Sequence, residues 1–175
     1  MGAKTETLAK QFETKAAEAT RVLEGLSDAD WTKVTEAEKW SVGVTAHHVA
    51  ASHEPISNLI KTVAAGQSVR NFSLDMLHAM NAQHAQDHAN CIRSETIELH
   101  TKGTAIAARV IRALGDDQLA NSGTVITGAP AMTAEEVITS ILINHIDDHF
   151  GSIRKTVGRW SQPFQLDRSR PQGHR

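Results

Sequence analysis

A chain of 175 residues with 40% apolar and 22% charged residues suits one soluble domain with a sizeable core and is short for two. Eighteen basic residues nearly balance twenty acidic ones, which argues against nucleic acid or anionic lipid as a partner. The single cysteine, Cys91, excludes an intramolecular disulfide and a four-thiolate zinc site, and it fits a reducing compartment.

No apolar run approaches the roughly 18 residues that would suggest a membrane span. The start of the chain (Lys4, Glu6, Lys10, Glu13) is too polar for a signal peptide. A cytoplasmic protein is expected. Cys91 itself reads as an inert thiol near a helix junction.

In chain order, Leu8, Phe12, Ala16, Ala19 and Leu23 keep helical spacing, which predicts a first helix over 5–24 stopped by Gly25. Residues 27–39 form a connector, with Trp31 and Trp40 as packing anchors. Ser41 is the expected N-cap of a second helix that runs past Pro55, with a kink, to Gly66. Ser73 caps a third helix, which breaks near Asn90, resumes at Ser94 and closes at Gly115. The small-residue loop 121–131 holds a short extended piece near Val125 and Ile126 and is placed to close over the bundle mouth.

Thr133 and Glu136 form a capping box that opens a fourth helix, ending at Gly158. No useful alternating strand and no repeat appears. Four long helices predict an all-α antiparallel four-helix bundle, third helix broken, over residues 1–160. Residues 161–175, polar and rich in proline and arginine, read as a flexible tail.

Ten histidines stand in the sequence. His145 and His149 lie about 40° apart on the fourth helix at about 100° per residue, at one rim of a wide apolar arc, with Asp148 flanking that rim. On the second helix His48 borders the apolar arc, His47 points toward solvent, and His53 occupies the far rim. His84 and His88, also four apart, form a rival pair on the third helix.

Two familiar metal patterns do not apply. Ile146 stands where the H-E-x-x-H motif needs its glutamate. No glutamate is followed three residues later by histidine, as di-iron bundles require.

The segment from Trp40 to Val49 (WSVGVTAHHV) resembles the W-[ST]-x(6)-H-[LV] start of helix two in the DinB/YfiT-like metalloenzyme family. Leu74 to Asp87 is similar to that family's helix-three segment with its characteristic Asn, here Asn81, and His145 to Ile153 resembles its H-x-x-x-H-x-G-x-[IL] signature. The branch most similar is that of mycothiol-dependent maleylpyruvate isomerases, some of which carry Glu where His145 stands. The resemblance spans roughly residues 5–160. It implies a divalent-metal site made by His48, His145 and His149, and a homodimer.

Three neutral imidazoles with one open coordination position are the donor set of catalytic rather than structural zinc. Zn2+ is the expected ion, with Ni2+, Mn2+ or Fe2+ as alternatives. Such an ion lowers the pKa of bound water or deprotonates a coordinated thiol. The leading expectation is a thiol-dependent transferase or isomerase that joins a low-molecular-weight thiol to a small electrophilic substrate. Asn81 and His84 would orient that substrate, and Asp148 would either hold a metal-ligating histidine in place or serve as proton acceptor. The alternatives are a hydrolase using metal-bound hydroxide and a non-catalytic metal- or ligand-binding stress-response bundle.

Overall fold

The computed structural model describes residues 2–158. Helix α1 spans Ala3–Gly25, a single turn α2 spans Asp28–Trp31, and α3 spans Val42–Ala64. Helices α4 (Leu74–Asp87) and α5 (Arg93–Ala113) follow. A 3₁₀ turn at Gln118–Ala120 leads into the two-residue strands β1 (Ser122–Gly123) and β2 (Met132–Thr133), paired antiparallel. The last rod is composite: α6 (Ala134–Glu136), a π-helical stretch Val137–Ile143, and α7 (Asn144–Val157).

Local chemistry sets these boundaries. Ser41 Oγ accepts the Val44 N–H and Ser73 Oγ the Met76 N–H, so both serines cap as their positions predict. At the start of the last rod the Glu136 N–H donates to Thr133 Oγ1, while the Thr133 N–H donates to Glu136. Gly158 ends α7 with φ 72°, in the left-handed region open to glycine. Helix α3 continues through Pro55, and α5 opens at Arg93 without a side-chain cap.

The bundle consists of α1, α3, α5 and the composite last rod. Around the ring α1 meets α5, α5 meets α3, α3 meets α7, and α7 meets α1. Their inner faces bury one core in which Phe12, Leu23, Ile60, Ile111, Ile138, Leu142, Ile153 and Phe150 are almost fully enclosed. Arg112 on α5 spans to Glu6 and Glu13 of α1 with two-nitrogen contacts to each carboxylate.

The expected break near Asn90 divides two unlike helices. Helix α5 is a full member of the bundle, whereas α4 buries none of its residues and lies against α3. Helix α4 begins beside the hairpin loop, where the Thr127 N–H donates to the Phe72 carbonyl.

That hairpin loop corrects an expectation. The Asn121 side chain donates to the Ala64 carbonyl at the C-terminal end of α3, and Val69 donates to Thr124. His48 lies near the other end of α3, about 24 Å away along the axis at about 1.5 Å per residue. The loop braces the far end of the bundle rather than covering the histidines. The extended piece is likewise displaced, to 122–123 and 132–133, and Val125 is buried. The expected tail at 161–175 lies outside the described residues. Among the described residues no helix is long and apolar enough to cross a membrane.

Candidate metal centre

His48 stands on the second turn of α3, and His145 and His149 stand one turn apart on α7. Their placement follows from the apolar positions between them: Val49 and Ile56 bury one face of α3, Ile146, Phe150 and Ile153 one face of α7. Packing these faces brings the three rings together at the rim. His145 Nε2 lies 3.0 Å from His48 Nε2. The ring centroids are 4.6–5.2 Å apart, all crossing steeply.

One nitrogen from each ring falls within 4.8 Å of the others, a grouping that suits a metal ion. Two nitrogens each about 2.0–2.1 Å from a tetrahedral zinc lie about 3.3 Å apart, close to the His48–His145 spacing. The donor set therefore fits a divalent transition ion. Burial first, then the neighbouring rings, pushes His48 down to about 4 and His145 down to about 2. Both are neutral at physiological pH, with lone pairs available.

Glu38 is the residue that the sequence reading missed. It sits on the loop between α2 and α3, where the Thr35 N–H and hydroxyl both donate to the Trp40 carbonyl. Lys39 takes a positive φ of 61° in that tight turn. The turn aims Glu38 across at α7, where His149 Nδ1 donates to Oε1 at 2.8 Å and the Ser152 hydroxyl donates to Oε2 at 2.7 Å. Burial tends to raise its pKa, but hydrogen bonds from Ser152, Thr35 and His149 outweigh that and hold the carboxyl below its ordinary value. A carboxylate on Nδ1 leaves His149 Nε2 as the lone-pair nitrogen. Trp40 closes another side, its ring edge-on to His48 at 5.4 Å.

The other candidates fall in different places. Asp148 is exposed, and no hydrogen bond or ion pair ties it to the three rings. Asn81 is half-buried on α4. His84, also on α4, meets the His48 ring edge-on at 5.4 Å. His47 does not face open solvent: it is half-buried, with Nδ1 3.3 Å from His84 Nε2 and its ring stacked on His88 at 4.0 Å. His53 is fully buried and pairs with His100 inside the bundle. Cys91 is half-buried, and burial raises its thiol pKa, as expected of an unreactive cysteine.

A four-helix bundle with three imidazoles gathered where its second and last rods meet places the protein among DinB/YfiT-like bundles. The family model for the mycothiol maleylpyruvate isomerase N-terminal domain matches residues 12–142, and the chain belongs to that family. The match includes His48 and Asn81 and ends just short of His145 and His149. Among solved structures the chain is similar to YfiT from Bacillus subtilis, described as a probable metal-dependent hydrolase with an unusual four-helix bundle topology. The TM-score is 0.70 at 16% identity, over 88% of this chain and 87% of YfiT. It is also similar to the mycothiol-dependent maleylpyruvate isomerase, with a TM-score of 0.68 at 14% identity over 85% of this chain. This chain spans 60% of that isomerase's length. Comparison of the sequence with curated proteins gives no match.

Proposed function

We propose that the protein is a metal-dependent enzyme in which His48, His145 and His149 hold one divalent cation, foremost Zn2+, with Ni2+, Mn2+ or Fe2+ as alternatives. The observation that carries this reading is the convergence of three imidazoles on one point, with a carboxylate fixing the orientation of the third. A cation held there supplies positive charge that stabilises the thiolate of a low-molecular-weight thiol at neutral pH.

The chain's own residues then have distinct tasks. Glu38 and Ser152 hold the His149 ring, and Trp40 packs against His48 and limits the approach of water on that side. Asn81 is the group on α4 proposed to orient the electrophile. The reaction proposed is attack of the thiolate sulfur on the electrophilic carbon of a polarised double bond in a small substrate: the S–C bond forms as the π bond breaks, and the thiol's proton reaches the atom at the other end of that bond by way of an acidic side chain. Asp148, exposed on α7, is the candidate acceptor for that proton. The enzyme would work as a cytoplasmic homodimer.

The competing reading is a hydrolase, which needs a carboxylate free to take a proton from water. Both oxygens of Glu38 are already engaged, Oε1 by His149 and Oε2 by Ser152, so Asp148 alone would have to serve as that base, whereas a thiol beside a divalent cation loses its proton without one, which favours thiol chemistry over hydrolysis. A non-catalytic metal-binding bundle is the remaining alternative. Metal content measured by mass spectrometry tests the site, with loss of the ion expected in His48→Ala and His149→Ala and unchanged content overturning it. Turnover of electrophile and ester panels, each with and without added thiol, tests the reaction. Activity only with thiol supports transfer, thiol-independent ester cleavage supports hydrolysis, and silence on every panel supports the binding module.

A further inference from the structure

A second cluster of three histidines stands beside the first. His47 on α3, His84 on α4 and His88 at the C-cap of α4 each offer one ring nitrogen within 4.8 Å of the other two. Their sequence neighbourhood explains why they meet. His84 and His88 are one turn apart on one face of α4, and His47 is the residue before His48, so it leaves α3 about 100° around the axis. The two clusters share a wall, since His84 lies edge-on to His48 while also contacting His47.

We propose that His47, His84 and His88 form a second divalent-metal site, for an imidazole-preferring ion such as Zn2+, Ni2+ or Cu2+. Three observations carry it. The His47 Nδ1–His84 Nε2 separation of 3.3 Å equals the about 3.3 Å expected for two ligands of one tetrahedral ion. That single contact leaves the converging His88 ring without a hydrogen bond among the described residues. Ligation would give all three rings a common partner, and the stacked His47–His88 pair would splay to admit the ion.

The third observation is α4 itself. None of its residues is buried, and Leu74, Met76 and Met80 are exposed, so little apolar packing holds it to the bundle. The Phe72 carbonyl accepts the Thr127 N–H and the Phe72 N–H donates to the Thr127 hydroxyl, which ties the start of α4. The histidine cluster lies at its other end, where an ion bridging His47 to His84 and His88 would staple α4 onto α3. It would also fix His84, whose role becomes that of a ligand rather than a substrate-orienting group, and Asn81 one turn before it. The site is independent of the first reading, because it uses none of the same side chains.

The test counts metal in the full chain. Chelator-stripped protein is titrated with Zn2+ against a chromophoric chelator, and bound metal is measured after desalting. Two equivalents are expected for the native sequence, one for His88→Ala, one for His145→Ala, and none for the double variant. One equivalent that survives His88→Ala but not His145→Ala overturns the second site and leaves the first intact. One equivalent with the opposite dependence sinks the first and keeps the second. Hydrogen exchange provides a separate readout that does not depend on stoichiometry. Zn2+ is expected to slow exchange across residues 74–87 at least tenfold in native protein and in His145→Ala, and not in His88→Ala or His84→Phe. Equal exchange with and without Zn2+ in native protein overturns the staple.

Discussion

Glu38 and His149 are joined by a 2.8 Å hydrogen bond that crosses from the loop before α3 to the middle of α7. A carboxylate on the outer nitrogen of a ligating histidine fixes its tautomer and ring orientation and raises its basicity. Replacing Glu38 by Gln keeps the shape but removes the charge, and replacing it by Ala removes the contact. Metal affinity should fall about 10–100-fold in Glu38→Ala and less in Glu38→Gln. Competition against a chelator of known affinity checks this, and unchanged affinity in both variants would show that Glu38 has no hold on the site.

Ser41 Oγ accepts the Val44 N–H at 3.1 Å and starts the helix that presents both His47 and His48. Ser41→Ala should destabilise the protein by about 1 kcal/mol, the usual worth of such a cap. Urea denaturation measures it. A loss under about 0.3 kcal/mol would mean that packing, not the cap, determines where α3 begins.

Two glycines inside helices predict opposite signs. A Cβ at Gly103 would stand 2.9 Å from the Cβ of His53, so α5 approaches α3 closely only because that position is bare. Gly103→Ala should lose about 1–3 kcal/mol to overpacking, offset by about 1 kcal/mol of helix propensity. At Gly151 nothing lies within 4 Å of an added Cβ, and Gly151→Ala should stabilise α7 by about 0.5–1 kcal/mol. Thermal or urea unfolding of the two variants side by side is the check, and a stabilised Gly103→Ala would refute the close approach.

Much of the fold was legible because helix periodicity and capping are local. Ser41, Ser73, Thr133 and Gly158 each act within one turn of their own position, so their roles can be read without knowing the fold. The apolar arcs placed His48 and His145 on rims but left His84 and His88 as a rival pair, and it was the resemblance to the DinB/YfiT-like family that singled out His48, His145 and His149. Glu38 was invisible for the converse reason. Its aim depends on a tight turn closed by Thr35 and Trp40, and a connector has no period to analyse. The only local hint was a carboxylate two residues before the anchoring Trp40, and Glu36 in the same connector looks no different by sequence. His47 was misread because a helical wheel knows only the bundle face. Helix α4, folded back over α3, gave the supposed solvent side a partner. The π-helical stretch 137–143 likewise has no signature in a 100° wheel, yet it ends two residues before His145 and so shifts the phase of the histidines against the core behind them.

His53 and His100 form a buried polar chain through the bundle core, and it should make the fold sensitive to acid. His100 Nε2 lies 3.1 Å from the Ala16 carbonyl, so that nitrogen carries the proton and donates. His100 Nδ1 must then accept from His53 Nε2, 3.0 Å away. Phe12 closes the other side of His53 edge-on at 5.5 Å, and His53 Nδ1 has no partner among the described residues. Burial, then the neighbouring His100, pushes His53 down to about 3, and burial likewise lowers His100. Below the ordinary histidine pKa of about 6.5 the unfolded chain takes up protons that the folded pair refuses. Stability should therefore fall as pH drops from about 6.5 toward 3, by about 1.4 kcal/mol per pH unit for each proton taken up on unfolding. Urea midpoints of metal-free protein between pH 7 and 4.5 measure the slope, and His53→Phe with His100→Leu should reduce it. The two triads contribute to the background slope in both proteins, so the difference between them isolates the buried pair. Equal slopes would mean that the pair is protonated within the folded core.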